Sequence, residues 1–93
     1  MERNEISLHE VKVFKAVKDA VKWITNREIE TAISEISART VRAHTLRLVR
    51  SGLLDQAAVF PGHRYRIADK ANKRNGSYLL RLSKAAEAFG IAL

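Results

Sequence analysis

The sequence predicts a mainly α-helical domain that carries one small β-hairpin, and three observations support this fold class. Apolar residues recur at three- and four-residue steps in four segments, which is the spacing of amphipathic helices. The apolar period shortens to two around a Pro-Gly pair, as in a hairpin. The length of 93 residues suits a single domain. The predicted order is helix, short strand, helix, helix and hairpin, followed by a C-terminal helix.

The composition excludes several classes of protein. Hydrophobic residues make up 46% of the chain and charged residues 29%, which is enough apolar material for a core under a solvated surface. The chain has no cysteine, so it has no disulfide, thiolate metal site or cysteine nucleophile. It has no apolar run of the roughly 18 residues that a membrane helix needs, and its start does not resemble a signal peptide. We therefore expect a cytoplasmic protein with no membrane attachment.

Two helices open with the capping-box spacing, in which Ser or Thr is followed three residues later by Glu. The pairs are Ser7 with Glu10 and Thr25 with Glu28. With the apolar periodicity that follows each pair, they predict helices over residues 8–20 and 26–34. The β-favouring residues Trp23 and Ile24 lie between these helices and predict one short strand added to a small sheet. We expect Trp23 to lie in the core.

A third helix is predicted over residues 38–51. Ser37 is a good N-cap, and Gly52 stands just after the last turn, where a left-handed residue commonly ends a helix. One side of this helix carries Val41, Thr45, Leu48 and Val49. The opposite side carries Arg39, Arg42, Ala43, Leu46, Arg47 and Arg50. We expect the first side to pack against the core and the second to form a cationic surface.

An antiparallel hairpin is predicted over residues 55–67, because apolar residues alternate on both sides of the Pro-Gly turn. Arg64 and Arg66 are two residues apart in its second strand, so both side chains project from the same face. The segment 69–76 that follows is polar, basic and rich in turn-forming residues. We predict that it is a loop.

The last helix is predicted to begin at Ser77 and to end at Gly90. Its apolar stripe includes Leu79, Leu82, Ala86 and Phe89. Because three helices and a hairpin already close a core, we expect this stripe to form a homodimer interface. The alternative is that the helix covers the core of its own chain. The predicted organisation is a domain of residues 1–68, a basic loop of residues 69–76 and a C-terminal helix of residues 77–93.

The positive charge is concentrated in one part of the chain. The protein has 17 basic and 10 acidic residues, a net charge of +7. Residues 37–76 alone hold nine basic and two acidic residues, so the whole excess lies there. The third helix, the hairpin and the following loop all fall in this segment. Clustered cations on a small domain indicate a binding site for a polyanion.

The segment 37–54, with the sequence S-A-R-T-V-R-A-H-T-L-R-L-V-R-S-G-L-L, resembles the recognition helix of winged helix-turn-helix transcription regulators of the MarR and ArsR type. The positions that carry the resemblance are Ser37, Thr40, Val41, Leu48, Gly52, Leu53 and Leu54. The element order over residues 8–67 is also that of a winged helix. Thr45 departs from the pattern, since that position usually holds a buried Leu. The resemblance implies a DNA-binding domain whose third helix enters the major groove, with the hairpin as a wing beside it.

The residue types themselves also favour DNA as the partner. An α-helix fits the major groove, arginine can form paired hydrogen bonds with guanine, and a helix N-terminus favours a phosphate. We expect Arg42 to contact a base, and Arg64 to contact the backbone or the minor groove. The candidate DNA-binding residues are Ser37, Arg39, Thr40, Arg42, Ala43, His44, Arg47, His63, Arg64, Arg66, Lys70, Lys73 and Arg74.

Simpler interpretations compete with these assignments. The arginine face can be an ordinary solvated surface, Arg50 can act only on the helix dipole, and His44 can be a packed histidine rather than a base contact. His9, His44 and His63 fall in separate elements, which argues against a metal site. The sequence contains no phosphate loop, acidic cluster or nucleophile with a base at a familiar spacing. We therefore expect no enzymatic activity and no cofactor.

The leading hypothesis is a sequence-specific double-stranded DNA-binding protein, a small transcriptional regulator that binds two half-sites as a dimer. One alternative is a winged-helix docking module whose basic face meets an acidic protein. Another is an accessory DNA-binding factor in plasmid or phage replication or partition. The sequence does not indicate a small-molecule effector.

Overall fold

The computed structural model describes residues 6–20, 22–59, 62–68 and 71–93, and the side chains of residues 58, 59 and 71–75 lie outside this description. The described chain is mainly helical, with one small antiparallel sheet, as predicted. In chain order the elements are α1 (Leu8–Ala20), β1 (Ile24–Thr25), α2 (Asn26–Ile33), α3 (Ala38–Arg50), β2 (Leu54–Val59), β3 (Gly62–Ile67) and α4 (Ala71–Ala88).

The sheet has three strands in the order β1-β3-β2. The hairpin strands β2 and β3 pair over their full length, from Leu54 opposite Ile67 to Val59 opposite Gly62. The short strand β1 joins the other edge of β3, with Ile24 opposite Tyr65. This pairing confirms the predicted single-strand addition, and it ties the hairpin to the start of α2.

The core lies where α1 meets the other elements. Residues of α1 on one face are fully or almost fully buried: Val11, Val13, Phe14 and Val17. The remaining large buried residues come from every other element or the turn after α3, and include Ile24, Ile29, Val41, Leu48, Leu53, Leu54, Tyr65 and Leu82. A single continuous apolar cluster therefore holds the helices and the sheet together.

The helix ends follow the predicted signals closely. Thr25 and Glu28 form a complete capping box at the start of α2, and Ser37 accepts a hydrogen bond from the Thr40 amide at the start of α3. Gly52 (φ 86°) and Gly90 (φ 76°) follow α3 and α4 in the left-handed conformation. After α3, the Leu53 amide donates to the Leu48 carbonyl at 3.0 Å, which is the bond that defines a Schellman cap.

The structure corrects the predicted loop before the last helix. Helix α4 begins at Ala71 rather than at Ser77, so residues 71–76 are helical, while residues 69 and 70 lie outside the description. The segment contains Ala, Lys and Arg, which favour helix, and Gly76 adds a cost of only about 1 kcal/mol. The buried part of α4 further along outweighs that cost, because tertiary packing supplies most helical stability.

Helix α4 packs against α1 and completes the core of its own chain. Leu82 is 0% exposed and Ala86 is 1% exposed. The C-terminal residues Ile91 and Leu93 are half-buried against the same core rather than forming an exposed tail. Among the described residues, no helix has the length and apolar character needed to cross a membrane.

Candidate nucleic-acid interface

The candidate interface is built on the outer face of α3, and the inner face of that helix fixes its position. Val41, Thr45 and Leu48 are fully buried. The residues on the opposite side are all exposed: Arg39, Arg42, Ala43, Leu46, Arg47 and Arg50. The helix therefore presents four arginines to solvent on one side, as the apolar periodicity predicted.

The start of α3 uses two of the candidate DNA-binding residues for its own cap. The Ser37 Oγ accepts from the Thr40 amide at 3.2 Å and lies 3.1 Å from the Thr40 Oγ. Ser37 is exposed and Thr40 is half-buried. Their first role is to satisfy the helix N-terminus, and only the exposed edge of this turn is open to an anion.

The hairpin contributes a second cationic surface. His63, Arg64 and Arg66 on β3 are exposed, whereas Tyr65 between the arginines is buried, so both arginines share the outer face as predicted. The Arg66 guanidinium lies 4.6 Å from the centre of the Trp23 ring, and its Nε is 3.6 Å from a carboxylate oxygen of Asp55.

Trp23 is partly buried beside the face of the sheet that carries Arg66, and it is not part of the core cluster in which it was predicted to lie. It comes just before β1, on the edge of the sheet that Arg66 covers. A cation over an indole face gains attraction without full burial of the ring. The tryptophan therefore stabilises the position of Arg66 instead of filling the interior.

An open groove connects α2, α3 and the hairpin. Its lining residues are Thr25, Asn26, Arg27, Glu30, Arg42, His63 and Arg64. Three of them are arginines from three different elements, and only one is acidic. Arg27 was not predicted as a site residue, because its position in the sequence gives no sign that the start of α2 lies next to α3 and β3.

A chain of hydrogen bonds beneath this groove holds the hairpin to α3. The Asn26 side-chain amide donates to the Tyr65 hydroxyl at 3.3 Å, and its carbonyl oxygen accepts from the Thr45 hydroxyl at 3.0 Å. Thr45 is fully buried. A buried hydroxyl needs a partner, and the Thr45 hydroxyl has two acceptors: the Asn26 side chain and the Arg42 carbonyl, 3.1 Å away. The chain links β3, which carries Arg64, to α3, which carries Arg42.

Among the described residues, most arginines of the candidate interface form no ion pair. Within the described part of the chain, no carboxylate forms an ion pair with Arg27, Arg39, Arg42, Arg50 or Arg64. Arg66 pairs with Asp55, and Arg47 has an Nη 3.7 Å from the Glu10 carboxylate. The uncompensated charge therefore lies along the middle of the exposed face of α3 and in the groove, not on the flank that carries Arg47.

That opposite flank is organised by Glu10, whose side chain was predicted to complete a capping box with Ser7. Only half of that box forms: the Glu10 amide donates to the Ser7 Oγ at 3.2 Å. The Glu10 carboxylate instead turns inward, is fully buried and accepts a hydrogen bond from the Tyr78 hydroxyl of α4. Its other oxygen faces Arg47 and lies 4.0 Å from the His44 Nδ1.

Two neighbours of Glu10 have shifted pKa values. Burial and the hydrogen bond to Glu10 raise the pKa of Tyr78 above the usual tyrosine value. Burial lowers the pKa of His44, although the Glu10 carboxylate opposes this shift. His44 lies half-buried on the α1 flank with its side chain 15% exposed, which favours the packed alternative over a DNA contact. Among the described residues, no three His, Asp or Glu side chains lie close enough to share a metal ion.

Some of the other predicted site residues lie outside the description, and the rest have a known burial. Lys70 lies outside the described residues, and Lys73 and Arg74 belong to the first turns of α4 with side chains outside the description. Of the predicted dimer residues, Leu82 and Ala86 are buried within their own chain, so they are not available to a second copy. Leu79 is half-buried and Phe89 is 45% exposed.

The fold is similar to that of a solved archaeal protein structure. The crystal structure of the ST1889 protein from the thermoacidophilic archaeon Sulfolobus tokodaii matches with a TM-score of 0.65 and 25% sequence identity. The match covers 91% of this chain and 84% of that chain. No protein-family model matches the chain, and no curated protein matches it. The likeness supports a mainly helical fold with a small antiparallel sheet.

Proposed function

We propose that the protein is a sequence-specific double-stranded DNA-binding protein of the winged helix-turn-helix type. In this proposal α3 lies in the major groove, and the hairpin β2–β3 is the wing that contacts adjacent backbone or minor groove. The observation that carries the proposal is the outer face of α3. It holds exposed arginines without an internal ion pair, and it lies beside further unpaired arginines on α2 and β3.

The positions of the arginines indicate two kinds of DNA contact, one to a base and one to phosphates. Arg39 lies on the central ridge of the exposed face, directly opposite the buried residues, where a groove-bound helix meets base edges. Arg42 lies at the edge of that face and lines the groove together with Arg27 and Arg64. We therefore assign base contact to Arg39 and phosphate contact to Arg42, in place of the base contact expected for Arg42.

The charge pattern favours nucleic acid over an acidic protein. Unpaired arginines from α2, α3 and β3 line one groove. Phosphates repeat along a nucleic-acid backbone, so such a spread of cations suits DNA better than a single acidic side chain. The exposed apolar residues Leu80 and Phe89 of the C-terminal region lie outside this surface and favour a second, protein contact.

A transcriptional regulator that binds as a homodimer is the form of the proposal that fits a single short recognition helix. Since Leu82 and Ala86 serve the core, a dimer through α4 would use exposed residues such as Leu80 and Phe89. An accessory factor in plasmid or phage replication or partition differs from a regulator only in the DNA that it binds. A docking module that binds an acidic protein is the second candidate.

The first test is a titration of random-sequence duplex DNA at two salt concentrations, followed by selection of preferred sites from a random pool. We expect affinity to fall steeply with salt, with each phosphate contact adding about −0.9 to the slope of log K against log salt. Arg39→Ala should weaken binding to the selected site by about 1–3 kcal/mol.

The matched control is Lys18→Ala, which removes one exposed positive charge from α1. It should leave both affinity and selectivity almost unchanged. Absence of binding at low salt would overturn the DNA proposal and make the docking module the leading candidate. Equal losses for Lys18→Ala and Arg39→Ala would show that net charge, rather than the α3 face, determines binding.

A further inference from the structure

The cationic face of α3 contains a large apolar side chain. Leu46 is 44% exposed, and within the described chain only Leu80 and Phe89 are comparably exposed large hydrophobic residues. Unlike those two, Leu46 lies among arginines. Arg42 and Arg50 are one turn before and after it, and the exposed Ala43 lies three residues before it on the same side.

This arrangement differs from what a surface for phosphates alone requires. A phosphate-binding face needs donors and positive charge, and an exposed leucine contributes neither. Leucine and alanine together form a short apolar strip between cationic residues. In the major groove the one apolar group on a base edge is the thymine 5-methyl, which lies between phosphate backbones.

We infer that Leu46, with Ala43 beside it, is a specificity-determining residue that contacts a thymine 5-methyl group. The inference rests on the proposed function and adds to it the chemistry of one base in the bound site. Arg39 precedes Leu46 by seven residues, which is about 10 Å along a helix at 1.5 Å per residue. At about 3.4 Å per base step, the thymine lies about three base pairs from the base that Arg39 contacts.

The experiment uses the duplex selected from the random pool and the same duplex with deoxyuridine at one thymine at a time. Uracil lacks only the 5-methyl, so pairing and charge are kept. We expect one such replacement to weaken binding of the wild-type protein about threefold to tenfold, in line with the loss of one buried methyl contact. In Leu46→Ala the same replacement should change affinity less than twofold, a limit of about 0.4 kcal/mol.

Lys18→Ala is the control, since it truncates another exposed side chain on a different helix. It should keep the full wild-type response to uracil. Circular dichroism of both variants checks that each is folded, as expected for partly exposed positions.

The outcomes separate the two proposals. If the wild-type protein binds no duplex, the proposed function fails and this inference with it. If it binds and selects a site, but no thymine-to-uracil change weakens binding, only the inference about Leu46 is overturned. The same conclusion follows if the uracil effect persists undiminished in Leu46→Ala.

Discussion

Arg42 and Arg47 are five residues apart on α3, yet the two flanks of the helix on which they lie differ in chemistry. On the hairpin flank, Arg42 faces an open groove with Arg27 and Arg64 and has no acidic partner within the described chain. On the α1 flank, Arg47 lies 3.7 Å from a fully buried carboxylate that also binds Tyr78 of α4. The hairpin flank is open to a ligand, whereas the α1 flank forms contacts that stabilise the fold.

The difference shows that a count of arginines on a helix face overstates its binding capacity. Each arginine must be judged by the groups that the fold places next to it. Arg47 neutralises a carboxylate that burial would otherwise leave uncompensated, which is a structural task. Arg42 has no such task, and its charge is available to a phosphate. Substitutions on the two flanks should therefore affect different properties.

The largest effect is expected from Leu82→Ala, which weakens the attachment of α4 on the α1 flank. Leu82 is completely buried, and truncation of a buried leucine costs about 2–5 kcal/mol. Urea unfolding monitored by circular dichroism measures the loss. Leu80→Ala, at a position 57% exposed, should change the free energy of unfolding of the single chain by less than about 0.5 kcal/mol.

The dependence of unfolding on protein concentration distinguishes the two roles considered for α4, which are a dimer interface and a helix that covers the core of its own chain. For a residue in the core of its own chain, the loss of stability caused by Leu82→Ala should be the same at every protein concentration. A midpoint that rises with concentration in the wild type but not in Leu82→Ala would place Leu82 in an interface between copies.

Tyr78→Phe tests the hydrogen bond that joins α4 to Glu10. Removal of the hydroxyl leaves a buried carboxylate oxygen without its donor, and we expect a loss of about 1–3 kcal/mol near neutral pH. The native pKa of Tyr78 is raised above its ordinary value of 10.0, so the native state retains a proton that the unfolded state releases. The stabilisation is complete below the ordinary pKa of 10.0 and falls as the pH rises above it.

Unfolding free energies at neutral pH and at about pH 11 measure this dependence. The difference in free energy of unfolding between the wild type and Tyr78→Phe should be smaller at the higher pH, because phenylalanine has no proton to release. A constant difference between the two proteins across this range would contradict the proposed environment of Tyr78.

Arg47→Ala and Arg42→Ala compare the two flanks directly. Because Arg47 is 55% exposed, its removal should cost about 1–2 kcal/mol of stability, less than for a fully buried pair. Arg42→Ala should change stability by less than about 0.5 kcal/mol, while it weakens DNA binding and reduces the salt slope by about 0.9.

The measurements are urea unfolding and DNA titration on both variants. If Arg42→Ala weakened only the selected site and left binding to random DNA unchanged, Arg42 would be a base contact rather than a phosphate contact. If Arg47→Ala left stability unchanged, the Glu10 carboxylate would not depend on its cationic neighbour.

The smallest effect is expected from Gly76→Ala, which tests the extent of α4. Gly76 lies inside the helix, and a Cβ at this position meets no atom within 4 Å. Alanine should therefore stabilise the protein by about 0.5–1 kcal/mol through helix propensity. Gly90→Ala is the contrasting variant, since Gly90 has a φ of 76° and alanine there should destabilise. A loss of stability in Gly76→Ala would favour the loop predicted from the sequence.

Much of the fold follows from local signals in the sequence. Thr25 with Glu28, Ser37, Gly52 and Gly90 mark helix ends through contacts within a few residues, so their roles are predictable from spacing alone. The alternation around Arg64 and Arg66 likewise determines which face of β3 they occupy. Such signals require no knowledge of tertiary structure.

The site features that sequence analysis missed all depend on distant contacts. Glu10 has the spacing of a capping residue, but Tyr78, 68 residues away, draws its carboxylate inward. Arg27 joins the groove only because β1 pairs with β3 and brings the start of α2 beside the hairpin. Thr45 interrupts the apolar pattern of α3, and its buried hydroxyl donates a hydrogen bond to the Asn26 side chain. No local spacing encodes these pairings.

The most direct test of the central proposal is an amide chemical-shift titration of the isotope-labelled protein with a short DNA duplex. We predict that the perturbed amides lie in α3 from Arg39 to Arg50, at Arg27 and along β3 from His63 to Arg66. The groove between α1 and α2 lined by Lys12, Lys15 and Ala32 should be unaffected. Perturbations concentrated in that second groove, or none at saturating DNA, would contradict the assignment of the α3 face as a DNA-binding surface.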